Sequence, residues 1–454
     1  MSRTIAAAAT GQSPGAIGIV RISGEEARAV AGRVFRPKGS RSVADAPGYT
    51  ALYGRLFDRD GDFDEAIALV FAAPKSYTGE DVVELSCHGG MYAVQRLLKA
   101  VFAAGAQPAD AGEFTKRAFL NGKIQLTEAE AVMDLISAQG QQANRAALSA
   151  KNGALWKRMA RVKDELCTLG AHFAAWVDYP DDDIPELSDR EVEEVLRRAK
   201  DELASLLSSF DAGRVLREGV ETVIAGRPNV GKSTLMNALS GCERSIVTPI
   251  AGTTRDIVEE TVRLGELTLH LSDTAGLRSS GDEVEAIGVE RARQKLRQAD
   301  LVLAVFDSSQ QLQEEDFQLL GELQGRHAIA VVNKSDLPPK IDIQYIHEFI
   351  KQIVTISAKQ EDGLAELSLV IAEVLGTARL DPSAGMLATE RQRQCAGRAY
   401  NAVEEALGCI QSGITRDAIS VLLDDAINAV LELTGEKAGE AVLQEVFSRF
   451  CVGK

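Results

Sequence analysis

Val220-Glu221-Thr222-Val223-Ile224-Ala225-Gly226-Arg227-Pro228-Asn229-Val230-Gly231-Lys232-Ser233-Thr234 decides the fold of the middle of the chain. An apolar run of strand length feeds a loop of GxxxxGKS spacing, and a helix-forming segment follows. That arrangement is a phosphate cradle. The glycines let the backbone wrap a phosphate chain, successive N–H groups point at its oxygens, and the next helix presents its positive end. Lys232 supplies a point charge for the β- and γ-phosphates, and the Ser233 hydroxyl is a ligand for Mg2+. Val230, Gly231 and Thr234 complete the loop. A chance glycine turn would lack both the preceding strand and the full spacing.

Two later segments choose the base. Asn333-Lys334-Ser335-Asp336 follows an apolar strand directly. The Asp336 carboxylate can accept from guanine N1–H and N2–H2, donors adenine does not offer, while Asn333 holds the loop and contacts the base edge. Ser357-Ala358-Lys359 follows another strand and fits a backbone contact to guanine O6. Asp273-Thr274-Ala275-Gly276 ends its strand where a γ-phosphate would lie, with Asp273 reaching Mg2+ through water and the Gly276 N–H sensing the phosphate. The first switch contains Ala251-Gly252-Thr253-Thr254, with Thr254 as second Mg2+ ligand. Ordered in this way the segments resemble those of translation-factor and Ras-like GTPases. One position departs: Leu277 stands where Ras-like enzymes carry the glutamine that orients water, and no arginine finger is evident.

Working outward, residues 216–377 alternate strand and helix, with strands expected at Val220–Ala225, Ile257–Leu264, Leu267–Leu271, Leu301–Phe306, Ala328–Val332 and Ile353–Ile356, in a mostly parallel sheet. Residues 1–120 form an α+β module. Strands are expected at Thr4–Thr10, Ile17–Ser23, Tyr49–Phe57, Phe63–Phe71 and Val82–Ser86, with helices from Glu25 to Phe35 and through Val94–Val101. Residues 121–215 are helical, with a capping box at Thr127-Glu128-Ala129-Glu130, a break at Asp178–Pro185 and a helix near Asp189–Phe210. Residues 378–454 are helical again. The α/β unit therefore reads as inserted into a helical domain whose two parts pack together.

The bulk numbers agree. The chain has 454 residues, more than one ordinary core holds. Net charge is −16 and pI about 5.0, which argues against nucleic-acid binding over the whole surface and restricts any RNA contact to local patches. Lys157, Arg158, Arg161 and Lys163 form one such patch, or a solvated helix face. No apolar run of membrane-spanning length and no signal-peptide pattern are expected. Six scattered cysteines without a CxxC pair read as free thiols in a reducing cytosol. His88 reads as a turn or helix-cap residue, since no second ligand at metal spacing accompanies it.

The whole chain resembles the MnmE (TrmE) family of tRNA-modifying GTPases. The likeness rests on Gly18-Ile19-Val20-Arg21-Ile22-Ser23-Gly24, Val83-Glu84-Leu85-Ser86-Cys87-His88-Gly89-Gly90, Gly112-Glu113-Phe114-Thr115-Lys116-Arg117-Ala118-Phe119-Leu120-Asn121-Gly122-Lys123, the motifs above, and the terminal Cys451-Val452-Gly453-Lys454. It implies an N-terminal α+β dimerisation domain that binds a tetrahydrofolate derivative (the 5,10-methylene or 5-formyl form), a discontinuous helical domain, and an inserted Ras-like G domain. A K+ ion, with Asn229, Thr248, Ile250 and Thr253 as ligands, takes the place of an arginine finger. Glu285, which alone reads as a solvated charge, orients the water. Arg21, Glu84, Lys123 and Lys454 match the folate contacts. Cys451 is either a thiol in the reaction or a small packing residue at a docked terminus. Implied too are a cytoplasmic homodimer, pairing of G domains under K+, and a flavin- and NADH-using partner, MnmG, in a heterotetramer or larger complex. Together they would modify C5 of the wobble uridine of certain tRNAs. The alternative is a ribosome-assembly GTPase of the Era or EngA type, which would carry a basic KH-like module after Lys359. A signalling switch with an external activator fits poorly with Asn229 and Leu277.

Overall fold

A computed structural model describes residues 3–11, 13–178, 187–241, 259–273, 294–414 and 416–454. The chain divides into two compact units, one formed by Met1–Met133 with Ile427–Lys454 and the other by Asp134–Ala426. The helical segment 378–454 is therefore shared between them.

The first unit is built on a seven-stranded sheet. Its strands are β1 (Ile5–Ala8), β2 (Ile17–Ser23), β3 (Phe35–Pro37), β4 (Thr50–Asp58), β5 (Gly61–Phe71), β6 (Val82–His88) and β7 (Gln107–Pro108), in the order β3-β4-β5-β6-β2-β1-β7. All neighbours are antiparallel except β1 and β7. Alternation along the strands buries Val20, Ile22, Leu56, Val83 and Leu85 against Leu97 and Val101 of helix Met91–Ala103. On the other side Ile5 and Ala7 of β1 pack with Phe114 of helix Glu113–Leu120. The expected helix from Glu25 to Phe35 is shorter, Ala27–Gly32, because Phe35 pairs into the sheet. The expected turn Asp58–Asp62 contracts to Arg59 and Asp60, with the Asp60 N–H donating to Asp58 Oδ1 at 2.9 Å.

The capping box expected at Thr127 is two residues out of register. The helix is Leu126–Ser137, and the Gln125 N–H donates to Glu128 Oε2 at 2.9 Å. Leu126 is fully buried beside Phe447 and Phe450, so packing pulls the helix start towards it and leaves the Thr127 hydroxyl buried without a hydrogen-bond partner.

The second unit combines helices with an α/β sheet. Helices Gln141–Lys151, Ala154–Asp178, Asp189–Ser208 and Phe210–Glu218 precede the sheet, and Glu390–Gln411 follows it. A capping box between Ser188 and Glu191 starts the third. The expected helix near Asp189–Phe210 is Asp189–Ser208, and a further helix, Phe210–Glu218, follows it after Ser209. Asp189–Ser208 and Glu390–Gln411 lie against each other, with Lys200 Nζ 3.0 Å from Glu404 Oε1.

The sheet strands are β8 (Val220–Ala225), β9 (Glu259–Leu264), β10 (Leu267–Asp273), β11 (Leu301–Asp307), β12 (Ala328–Asn333) and β13 (Gln352–Thr355). Their order is β13-β12-β11-β8-β10-β9, parallel apart from the β9–β10 pair. Every residue of β11 and β12 is buried, as in a sheet covered on both faces. Order reverses at β8, whose neighbours are β10 and β11, and the loops leaving β8, β12 and β13 emerge at the carboxyl edge, where α/β sheets hold ligands. No helix of the described residues is long and apolar enough to cross a membrane.

Candidate nucleotide site and the docked C-terminus

The phosphate loop runs from the end of β8 to helix Lys232–Gly241. Lys232 is buried, and its ammonium donates to the carbonyls of Gly226 and Arg227 at 2.9 Å each, which holds it across the loop. Ser233 and Thr234 are exposed on the first helical turn, where the backbone N–H groups are free for anionic oxygens. Asn229 takes a left-handed backbone, φ 64°. This is uncommon for a side chain other than glycine and marks a loop shaped by its surroundings.

Those surroundings are the two base-reading segments. Asn333, 2% exposed at the end of β12, donates from Nδ2 to the Val230 carbonyl (3.0 Å) and accepts at Oδ1 from the Ala358 N–H (3.0 Å). One amide thus ties the phosphate loop to the Ser357-Ala358-Lys359 loop. These bonds use one of the two Nδ2 hydrogens and one of the two Oδ1 lone pairs, and they give Asn333 its holding role. Lys334 donates to the Asn229 carbonyl (2.8 Å) and to Asp307 Oδ2 (2.6 Å). Asp336 is exposed; its Oδ1 accepts from the Ser357 hydroxyl at 2.7 Å, which fixes the carboxylate plane. Lys359 is exposed. Hydrogen bonds therefore join Asn229 and Val230 of the phosphate loop, Asn333, Lys334 and Asp336, and Ser357 and Ala358.

Asp307 was not singled out by the sequence reading. Burial opposes its ionisation, but hydrogen bonds from Lys334 and from the Ser309 hydroxyl and backbone outweigh that and hold its carboxyl below the ordinary value. The only sequence signal for it is an acidic residue ending an otherwise apolar strand.

Asp273 ends β10 opposite Ile224 of β8, beside the phosphate loop. The remaining nucleotide, metal and catalytic expectations lie outside the described residues: Thr248, Ile250, Ala251, Gly252, Thr253, Thr254, Thr274, Ala275, Gly276 and Glu285.

A second assembly lies in the first unit. Arg21 and Glu84 are cross-strand partners on β2 and β6, and Arg21 Nε donates to Glu84 Oε1 at 2.7 Å. The guanidinium also donates to the Gly453 carbonyl (3.1 Å) and lies 5.9 and 5.5 Å from the ring centroids of Tyr77 and Phe114. The terminal four residues are docked here. The Phe114 N–H donates to the Lys454 carbonyl (3.2 Å), the Gly112 N–H to the Cys451 carbonyl (3.5 Å), and Ala111 and Val452 form an isolated antiparallel bridge. Cys451 is exposed, so its thiol is not packed in the core. Lys123 lies at the neighbouring loop, its Nζ on the Pro74 carbonyl at 3.0 Å. Arg21, Glu84 and the C-terminal residues are brought together, with Lys123 held by a different loop.

Below them is an ionic cluster that the sequence reading missed. Arg117, 8% exposed, pairs with Glu80 (2.9 Å) and Glu113 (2.8 Å), and Arg3 reaches Glu113 at 3.0 Å. Burial disfavours the charged form of Glu113, yet the Asp110 N–H and Arg117 keep its carboxyl below the usual value. The available signal was the i,i+4 spacing of Glu113 and Arg117.

Comparison with known proteins adds what geometry leaves open. A family model described as the GTP-binding protein TrmE N-terminus matches residues 4–123, and one described as the MnmE helical domain matches residues 126–451. The tRNA modification GTPase MnmE of Symbiobacterium thermophilum is 44% identical over 99% of both chains. Those of Geobacillus kaustophilus and Clostridioides difficile are 41% and 37% identical at the same coverage. The chain belongs to the MnmE family of tRNA modification GTPases. A structure of an Aquifex aeolicus Era variant aligns over 40% of this chain and 66% of that one, at 29% identity and a TM-score of 0.29.

The expectation of a GTP-hydrolysing enzyme of tRNA modification therefore stands, and the assembly-factor alternative is set aside. Two smaller expectations resolve within this MnmE-family frame. Arg158 is an internal clamp, donating to the Gly385 carbonyl at 2.8 Å and pairing with Glu202, rather than a free RNA contact. His88 is exposed, and its Nδ1 pairs with Asp64 Oδ1 at 2.6 Å. Among the described residues no cluster of three or more His, Cys, Asp or Glu could hold a metal.

Proposed function

We propose that GTP hydrolysis in the second unit drives modification of C5 of the wobble uridine in certain tRNAs, with the one-carbon chemistry carried by the first unit and by MnmG. The observation that carries this reading is the docked C-terminus. The tail that carries Cys451 and Lys454 docks through its backbone on Arg21, the cross-strand partner of Glu84, in a domain that contains no nucleotide loop.

At the nucleotide, Lys232 would neutralise the β- and γ-phosphates, and Ser233 and Thr254 would ligate Mg2+. Asp336 would read guanine, with Ser357 fixing its plane. Leu277 has no group that orients water, and Glu285 is proposed for that task. A bound K+ would place a fixed positive charge beside the β–γ bridge as negative charge develops there. Asn229 suits it: Lys334 bonds its backbone carbonyl and the loop keeps an unusual conformation there, so that restraint does not use the side-chain amide. Thr248, Ile250 and Thr253 would complete the ligand set.

In the first unit a tetrahydrofolate derivative would supply the one-carbon unit. Glu84 retains one carboxylate oxygen for the amide and amine donors of a pterin. Arg21 is already committed to Glu84 and Gly453, so it positions Glu84 and the tail, while Lys123 and Lys454 are the cations for the folate's own carboxylates. The four-part organisation (1–120, 121–215, 216–377 and 378–454), a homodimer through the first domain, and cytoplasmic action belong to the same proposal.

The deciding experiment is nucleoside analysis of tRNA from cells depleted of the protein. The reading requires loss of the wobble-uridine side group; an unaltered nucleoside profile rejects it. GTPase rates in K+ and in Na+ test the cation separately, and equal rates would remove it.

A further inference from the structure

Both flanks of the phosphate loop lead back to one carboxylate. Asp307 is 2% exposed at the end of β11, behind the loop. Its Oδ2 accepts from Lys334 Nζ at 2.6 Å and from Gln310 Nε2 at 3.2 Å. The same Lys334 ammonium donates to the Asn229 carbonyl, 2.8 Å away. Gln310 Oε1 accepts from Arg227 Nη2 at 2.9 Å, and the Arg227 carbonyl in turn accepts from Lys232. The far side of Arg227 is also fixed, since its Nε lies 3.1 Å from Asp316 Oδ2 in a buried ion pair. Two short relays therefore leave Asp307: one through Lys334 to Asn229, the other through Gln310 to Arg227 and on to Lys232.

We propose that Asp307 is a positioning residue for nucleotide binding, which holds the phosphate loop open in its binding shape through Lys334 on one side and the Gln310–Arg227 pair on the other. The physical basis is the shape of the loop itself. Asn229 sits at φ 64°, a left-handed conformation uncommon for L-residues and, although asparagine tolerates it better than most, one that restraints from its neighbours favour. The Lys334 bond to its carbonyl is the imposed restraint, and Asp307 keeps that ammonium in place. Ser309 donates to the other carboxylate oxygen from its backbone N–H (2.9 Å) and hydroxyl (2.7 Å), so the carboxylate cannot rotate away. A buried charge hydrogen-bonded on both oxygens is a rigid anchor. Asp307 itself makes no contact that a nucleotide would need; it acts through Arg227 and Asn229.

The test uses the full chain with fluorescent GDP and with GTP turnover. Asp307→Ala is expected to weaken GDP binding about tenfold or more and raise KM for GTP by a similar factor, with a smaller effect on kcat. Gln310→Ala, which cuts one relay, is expected to weaken binding two- to fivefold. The double variant is expected to bind no worse than Asp307→Ala alone, because Gln310 acts through Asp307. Melting curves separate positioning from general support. Loss of a buried carboxylate that accepts four hydrogen bonds lowers the nucleotide-free melting temperature in either case, but positioning also shrinks the increment given by saturating GDP. A general structural role lowers the nucleotide-free value and keeps the increment. If Asp307→Ala does not fold, Asp307→Asn preserves volume and an acceptor while removing the charge, and is expected to lie between it and the parent. Parental GDP affinity in a folded Asp307→Ala or Asp307→Asn protein, or additive losses in the double variant, overturns the proposal.

Discussion

Gly453→Ala isolates the docked C-terminus from everything else the chain does. Gly453 has φ 101°, and a Cβ there would stand 2.2 Å from the Ala8 carbonyl oxygen. The backbone conformation alone costs about 1–3 kcal/mol for an alanine. The clash is with main chain in β1, which cannot swing aside as a side-chain tip would. Against this, residues 451–454 are held by three hydrogen bonds, from Arg21, Gly112 and Phe114, each contributing about 0.5–1.5 kcal/mol net. Strain of ~2–4 kcal/mol therefore matches the whole docking energy and shifts the docked population by roughly 30- to 1,000-fold. The helix before the tail should hold, because Phe447 and Phe450 remain buried with Leu126. The substitution keeps the Cys451 thiol and the Lys454 ammonium, so any loss reports their placement. Three measurements check it: release of Lys454 by carboxypeptidase should accelerate, calorimetric affinity for a reduced folate should fall, and GTP hydrolysis should be unchanged as the internal control. Unchanged folate affinity together with unchanged protection of Lys454 would refute the reasoning.

Gly231→Ala should reduce GDP and GTP binding by ~100-fold or more: its Cβ would fall 2.2 Å from Asn333 Nδ2 and break the bond to Val230, at about 1–3 kcal/mol for each polar group stranded. Equilibrium binding of fluorescent GDP checks it, and circular dichroism should show the fold retained. Asn229→Ala should leave GDP affinity within a few-fold while abolishing any advantage of K+ over Na+ in turnover. Glu285→Ala should keep nucleotide affinity and lower kcat by about 10²–10⁴; lost binding with normal turnover would count against it. The His88 pKa is raised by its hydrogen bond and charge interaction with Asp64, so the stability this pair contributes is fully present below about 6.5, the unfolded value, and is lost as pH rises through the folded value. Asp64→Asn should thus be more destabilising at pH 6 than at pH 8.5 in chemical denaturation, and NMR should show His88 titrating closer to 6.5.

The nucleotide site was legible because its signals are local. An apolar run, a glycine spacing and a short polar motif after each strand lie within a few residues of one another, and the sheet's carboxyl edge gathers them. What binds those motifs together was not legible. Arg227 and Gln310 are 83 residues apart, as Lys334 and Asp307 are 27 apart, and each alone reads as an ordinary loop polar residue. Nothing in local propensity says that Asp307 is buried with four donors aimed at it. The capping box failed for a related reason. The local pattern at Thr127 is correct chemistry, but the burial of Leu126 against Phe447, more than 300 residues later in the chain, determines where the helix begins. The tail was read as a motif from its last four residues, while its partners Arg21 and Phe114 lie at the opposite end of the sequence.

The bond pattern around Asn333 has a consequence for how base choice and phosphate chemistry communicate. Asn333 and Lys334 grip the phosphate loop, and Asp336 stands two residues on in the same turn, fixed by Ser357 in the loop that Asn333 also holds through Ala358. A guanine paired with Asp336, as proposed, would thus settle a turn whose other residues are already bonded to Val230 and Asn229. A base that left Asp336 unpaired would lose its own hydrogen bonds and also remove that added order from the loop. Discrimination should then appear in kcat as well as in KM, because Asn229, the proposed cation ligand, is held by the same turn. A wrong base whose penalty is confined to KM would mean that Asp336 reads the base independently and that the shared frame transmits nothing to the phosphates.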